Sequence, residues 1–206
     1  MKVIGITGQT GAGKTTALKE IERLGGCVLD ADAVYHQLLE KDAALRDELQ
    51  ARFGPLEDGT GRIDRKKLGN VVFRDADALA DLNAIAHRYV GQELDRRLAR
   101  AEQEGCPLAA IDAIALLESG AGKRCCATVA VTAPPEVRIR RIMAREGISE
   151  EYARSRMSAQ KPDDFYIGGC DYALVNDCAT AEEFAARARA LFQRILAQEE
   201  GPEAPS

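Results

Sequence analysis

A stretch near the start of the chain carries a spacing suited to phosphate chemistry. Gly8-Gln9-Thr10-Gly11-Ala12-Gly13-Lys14-Thr15 fits Gly-x-x-x-x-Gly-Lys-Ser/Thr. Gly8, Gly11 and Gly13 let the backbone wrap tightly, which turns successive N–H groups toward phosphate oxygens. A helix starting near Gly13 adds the positive end of its dipole. Lys14 brings a mobile point charge to the β- and γ-phosphates, and the Thr15 hydroxyl is a ligand for Mg²⁺. The backbone of Gly11, Ala12, Gly13, Lys14, Thr15 and Thr16 is therefore the expected cradle for a nucleoside triphosphate. A Gly-rich hairpin would share the composition but not the context. An apolar run with Val3, Ile4 and Ile6 precedes the loop, and Ala17, Ile21 and Leu24 follow at helical spacing.

Other candidates lie at the ends of strand-like runs. Cys27-Val28-Leu29 leads into Asp30-Ala31-Asp32. In open parallel sheets, ligands bind beyond the carboxyl ends of strands. Asp30 is the expected structural partner, and Asp32 is the expected general base toward a substrate hydroxyl. Asp112 ends the run Leu108–Asp112, either ordering Mg²⁺ water ligands or serving as a plain strand-end carboxylate. Asn176 follows Tyr172–Val175 and either caps the next element or bonds a base edge. Arg138, Arg141 and Arg145 stand at i, i+3, i+7, with Arg140 beside them. Arg138 and Arg140 read as surface charge; the stripe's other members can offset charge on a transferring phosphoryl group. His36 and His87 are isolated, and a lone His is more often a surface or packing residue than a catalyst. His87-Arg88 nevertheless offers polar groups that could face a substrate.

Positioning these residues requires an α/β chain. The spacing predicts strands at Val3–Ile6, Cys27–Leu29, Leu108–Asp112, Ala127–Val131 and Tyr172–Val175. Between the second and third lies Ala33–Glu104, a helical insertion too long for a minimal crossover and suited to a substrate-binding subdomain. One helical segment runs from Ala33 to Phe53-Gly54-Pro55, and a long helix, or two, covers Asp75–Glu104. Asp58-Gly59-Thr60-Gly61 matches Asp-x-x-Gly but follows no strand, which makes it a turn. Glu136–Arg145 is helical, and Ser149 caps a short helix bearing Arg154 and Arg156. Residues 146–165 are expected to be a lid, polar outside and basic within. Thr180-x-x-Glu183 is a capping box opening a last helix, and 199–206 has a disordered composition. The expected division is a nucleotide core of 1–32 and 105–198, with 33–104 inserted.

Composition narrows the classes. The chain has 206 residues with 28 Lys and Arg against 33 Asp and Glu, a formal charge of −5 that gives no global basic footprint for nucleic acid. No run approaches the roughly 18 apolar residues of a membrane span. The first residues enter a strand directly, so a cytoplasmic protein is expected. Its six cysteines form no C-x-x-C pair, so reduced thiols are expected rather than a metal site. The neighbours Cys125-Cys126 are the candidates for redox sensitivity.

Taken in order, the motifs resemble those of the dephospho-coenzyme A kinases. The resemblance rests on Gly8–Thr16, Asp30-Ala31-Asp32, Phe53-Gly54, Ile63-Asp64-Arg65 with Leu68, Val72-Phe73, Leu82-Asn83 with His87, Leu117-Glu118, Arg141-x-x-x-Arg145, Ala159-Gln160, and Asp171 with Val175-Asn176. It implies a P-loop kinase fold of three layers: a five-stranded parallel sheet with a helical coenzyme-A-binding insertion and a lid. It further implies ATP-dependent, Mg²⁺-assisted phosphorylation of the ribose 3′-hydroxyl of dephospho-coenzyme A. A monomer or weak homo-oligomer is expected, and its charge and hydropathy give no nucleic acid or membrane partner. By this resemblance Asp32, Lys14 and Arg141 are catalytic, and Arg145 and Asn176 join the loop in binding ATP. Asp32, His36, Arg65, His87 and Gln160 bind substrate, and Thr15 holds the metal. His36 stands where many members carry Arg, and Arg88 where Pro is usual. Two rivals stay open. Another small-molecule P-loop kinase would share the loop and lid, and a GTPase-like switch would need the Asn-Lys-x-Asp motif that Val175-Asn176-Asp177 only approaches.

Overall fold

The computed structural model describes residues 1–198; the expected tail at 199–206 lies outside them. Five strands form one sheet in the order β2-β3-β1-β4-β5. They are β1 (Lys2–Gly8), β2 (Cys27–Asp30), β3 (Leu108–Asp112), β4 (Ala127–Thr132) and β5 (Tyr172–Val175). The β1 pairings with β3 and β4, and that of β4 with β5, are all parallel. Central β1 is buried from Ile4 to Gly8, as a strand with neighbours on both sides must be.

The described residues divide into two compact units, one of Met1–Val28 with 101–198, the other Leu29–Arg100. In the first unit, α1 (Lys14–Arg23) and α9 (Ala181–Ala197) pack their apolar faces with the strands into one core. Ala17 and Ile21 from α1 and Phe184, Ala188, Leu191, Phe192 and Ile195 from α9 are its helical members. The 3.6-residue period of these positions is what makes the stripe continuous. Thr180 caps α9 by accepting from Glu183 N (3.2 Å), while the Glu183 carboxylate reaches back to Ala179 N (3.0 Å). A smaller cluster joins Ile139 and Ile142 of α6 (Pro135–Glu146) to Ala153 of α7 (Glu150–Ser158). Ser149 caps α7 as expected. After it comes α8 (Asp163–Gly169), a short helix that sequence spacing did not mark.

The second unit has its own core of Leu39, Leu45, Leu49, Leu56, Ile63, Leu68, Val72 and Ala78. The segment expected as one helix after Ala33 is two, α2 (Ala31–Lys41) and α3 (Ala43–Phe53). Asp42 breaks it by taking an extended backbone and capping α3, its carboxylate accepting from Leu45 N at 2.9 Å. Asp64 likewise caps α4 (Arg65–Val72), whose basic outer face hides its helical period from a hydrophobic reading. The next element, α5 (Ala76–Gln103), is a single helix; Arg88 continues it without a break. Asp58 accepts from Thr60 N and Thr60 Oγ1, both at 2.7 Å, so its Asp-x-x-Gly stretch is a side-chain-stapled turn.

Phe184 is fully buried in the first core, and the position of a Cβ on Gly13 would lie 3.2 Å from its ring. Phe184→Ala should therefore cost about 3–5 kcal/mol of stability. Urea denaturation checks this; a loss under about 1 kcal/mol would mean the cavity collapses without strain.

Candidate active site: the phosphate loop and its supports

The loop between β1 and α1 depends on two unusual glycines. Gly8 has φ 136°, and a Cβ there would lie 2.0 Å from the Val131 carbonyl oxygen. Gly13 has φ 110°, and its Cβ would meet Asn176 Nδ2 at 2.3 Å. Glycine supplies both the left-handed backbone and the missing side chain. Gly13 then caps α1, its carbonyl accepting from Thr16 N at 2.9 Å. The N–H groups of Lys14 and Thr15 head the first turn, where a helix offers no internal acceptor. They open with Gly8, Gln9, Thr10, Gly11, Gly13, Ile114, Arg141 and Arg145 onto a cleft of about 300 Å³.

Cations converge on this cleft. Lys14 Nζ lies 3.0 Å from Asp112 Oδ1, with both side chains less than one-fifth exposed. Asp112 gets there because β3 pairs with β1 in the register Ile6↔Asp112, bringing the strand end beside the loop. The contact is a charge pair without hydrogen-bond alignment, and Asp112 Oδ1 is buried with no hydrogen-bond partner among the described residues. Arg141 donates through Nη1 to the carbonyls of Gly11 (3.3 Å) and Ala12 (3.4 Å) and through Nη2 to Asn176 Oδ1 (3.2 Å). Asn176 is itself buried and donates through Nδ2 to Ala12 O at 2.8 Å. Its amide thus braces the loop backbone. Arg145 is exposed and pairs with Glu146 at 2.6 Å.

Arg138 corrects the expectation of surface charge: it is 3% exposed. Its Nε donates to Thr10 O and its Nη2 to Gln160 Oε1, both at 3.0 Å. Burial pulls its pKa below the ordinary arginine value, with nearby Asp163 acting the other way. Helical spacing put Arg138 in line with Arg141 and Arg145 but could not say which side of α6 turns inward. Arg140 is exposed, as expected. Arg154 and Arg156, expected to face inward, are exposed and pair with Glu150 and Glu146.

The second unit holds the remaining candidates. Asp30 caps α2, accepting from Ala33 N at 2.9 Å, and Asp32 sits exposed in the first turn of that helix. His36 is exposed on α2, its ring 6.1 Å from that of Tyr35. Arg65 opens α4, exposed; His87 is half-buried on α5. Arg88, beside it, pairs with Glu48, whose carboxyl it holds below the usual carboxylate range.

Burial pushes the Cys125 thiol up to about 12, which keeps it protonated and a poor nucleophile, against redox sensitivity at Cys125. All six cysteines are free thiols. Among the described residues, no group of three or more His, Cys, Asp or Glu is arranged to hold a metal, and no helix is long and apolar enough to cross a membrane.

A phosphate loop joining the central strand of a parallel sheet to its helix, with arginines from a later helix bracing it, defines a P-loop kinase. The dephospho-CoA kinase family model matches residues 2–182. A dephospho-CoA kinase of Geobacter sulfurreducens is 37% identical over 165 residues, 79% of this chain and 83% of that one. Another from Corynebacterium diphtheriae is 32% identical, covering 97% of this chain and 100% of its own. The crystal structure of TT1252 from Thermus thermophilus superposes with a TM-score of 0.79 at 34% identity, covering 96% of this chain and 98% of that one. The chain belongs to the dephospho-CoA kinase family.

Replacing Asn176 by Ala would strip Ala12 O of a donor and Arg141 of an acceptor inside the fold. A loss of about 1–3 kcal/mol is expected, measured as a lower urea midpoint. An unchanged midpoint would mean that the loop is not held through this amide.

Proposed function

We propose that this chain transfers the ATP γ-phosphate to the ribose 3′-hydroxyl of dephospho-coenzyme A, releasing coenzyme A and ADP. The family match over residues 2–182 carries this reading. The intact phosphate loop, with Lys14 held at its mouth by Asp112, supports it.

Phosphoryl transfer asks little covalent chemistry of the protein and much positioning and charge. The backbone from Gly11 to Thr16 receives the β-phosphate. Lys14 exchanges its contact with Asp112 for the β- and γ-oxygens. Arg141 offsets charge as the phosphoryl group moves, and exposed Arg145 leaves its pair with Glu146 to turn toward it. Thr15 would hold Mg²⁺ through its hydroxyl, and Asp112 Oδ1, paired with Lys14 but outside any hydrogen bond among the described residues, fits an oxygen that would order the ion's waters once Lys14 moves to phosphate. When bound, that ion neutralises charge on the β- and γ-phosphates. Asp32 orients the 3′-hydroxyl and takes its proton as the O–P bond forms. His36, Arg65 and His87 contact the acceptor, and the residues 33–104 form its subdomain. Gln160 belongs to a lid spanning 146–165.

The decisive assay couples ADP release to acceptor, with ATP and Mg²⁺ and with dephospho-coenzyme A, adenosine, AMP and shikimate in parallel. Release that depends on dephospho-coenzyme A is expected; preference for another acceptor would leave the loop argument standing and defeat the acceptor assignment. Lys14→Ala should lower kcat by about 10²–10³-fold in a folded protein. Near-normal turnover would remove Lys14 from the mechanism. In Asp32→Asn, ATP binding should survive while transfer falls by about 10²–10⁴-fold. Retained transfer would exclude Asp32 as the base.

A further inference from the structure

We propose that Arg138 is a positioning residue for phosphoryl transfer: it latches the tip of the phosphate loop to the Gln160 side chain, setting the loop's shape before nucleotide arrives. The proposal rests on the nucleotide reading of the loop given above.

Thr10 has three polar groups outside the cleft's phosphate cradle, and two side chains take them all. Its carbonyl accepts from Arg138 Nε at 3.0 Å. Its N–H donates to Gln160 Oε1 at 3.3 Å, and its hydroxyl accepts from Gln160 Nε2 at 3.1 Å. The Gln160 oxygen is shared with Arg138 Nη2 at 3.0 Å, which closes the ring. Next door, Gln9 Nε2 donates to Lys161 O at 2.6 Å. The tip of the loop is thereby stitched to Gln160 and Lys161, in the turn that follows α7. One planar guanidinium spans both partners at once, a geometry that a lysine ammonium cannot reproduce.

The arrangement is costly, which argues that it is not mere packing. The Arg138 side chain is almost fully buried, yet its nearest carboxylate oxygen, Asp163 Oδ1, stands 3.8 Å away. That oxygen is buried and without a hydrogen-bond partner among the described residues. A buried cation so weakly compensated is harder to accommodate than an apolar side chain. Neighbours Ile139 and Ile142 show that α6 can fill this interior with aliphatic groups. Two effects follow from keeping the charge. The guanidinium adds positive potential behind a loop that must take a polyanion, and it removes the ordering that binding would otherwise have to supply. Arg138 does not itself line the cleft, so it acts through Thr10 and Gln160.

The test uses the full chain and a fluorescent ADP analogue, alongside the KM for ATP and for dephospho-coenzyme A. Arg138→Ala should weaken nucleotide binding and raise the ATP KM about tenfold, while the acceptor KM stays within about twofold, as expected for losing hydrogen bonds from a charged donor. Arg138→Lys should recover only part of that loss. Gln160→Ala should weaken nucleotide binding too, and the double variant should be no worse than Arg138→Ala alone, since both remove one unit. Nucleotide affinity within twofold of wild type in Arg138→Ala, full recovery with Lys, or additive single effects would each overturn the latch. Should Arg138→Ala fail to fold by circular dichroism, Gln160→Ala decides: unchanged nucleotide affinity there overturns the proposal. A wild-type chain that binds no nucleotide at all would instead refute the underlying reading of the loop, and the latch with it.

Discussion

A loop that turns its N–H groups inward must turn its carbonyls outward, and those carbonyls need donors. This constraint organises the first unit. Thr10 O takes Arg138, Gly11 O takes Arg141, and Ala12 O takes both Arg141 and Asn176. The donors come from α6 and from the end of β5, so elements far along the chain exist partly to satisfy the back of a loop near its start. Unpaired buried carbonyls would each forfeit about 1–3 kcal/mol, enough in sum to abolish the loop's shape in a marginally stable domain. Glycine at position 13 belongs to the same constraint, because the Asn176 amide occupies the place where a Cβ would stand.

Charge is arranged by the same logic. Three cations, Lys14, Arg138 and Arg141, stand half-buried or buried around the loop of a chain whose net charge is −5. Among the described residues, the carboxylates paired with them are Asp112 at 3.0 Å and Asp163 at 3.8 Å. Each keeps a buried oxygen outside any hydrogen bond among the described residues. The local excess of positive charge is therefore real, and a polyphosphate is the kind of anion that offsets it. A uniformly basic surface would attract polyanions indiscriminately; a few cations set behind a glycine loop select the small ones that fit.

The insertion obeys a separate economy. Residues 29–100 close a hydrophobic core of their own, sharing no member with the core of the first unit. Aspartates at 30, 42 and 64 start its first three helices by the same device, a carboxylate accepting from the first-turn N–H groups. Such local signals let the segment fold its helices without drawing on the sheet that holds the phosphate loop.

How much of this was legible in the sequence depended on whether the signal was local. Glycine spacing, the strand ends at Asp30, Asp112 and Asn176, and the Thr180 cap all work within a few residues, and they stand where expected. The break at Asp42, the short basic helix α4 and α8 did not announce themselves, because a few apolar positions under charged ones give too little periodicity. Arg138 was the instructive failure. Charge predicts exposure on average, and the spacing within α6, which sets Arg138 apart from Arg140, does not say which of the two sides turns inward. What distinguishes them is a carbonyl at Thr10, well over a hundred residues earlier in the chain, which turns outward because phosphate will lie on the other side. The burial of Arg138 is thus a long-range consequence of the loop's chemistry. An arginine that looks misplaced by composition is the one that the loop's geometry calls for.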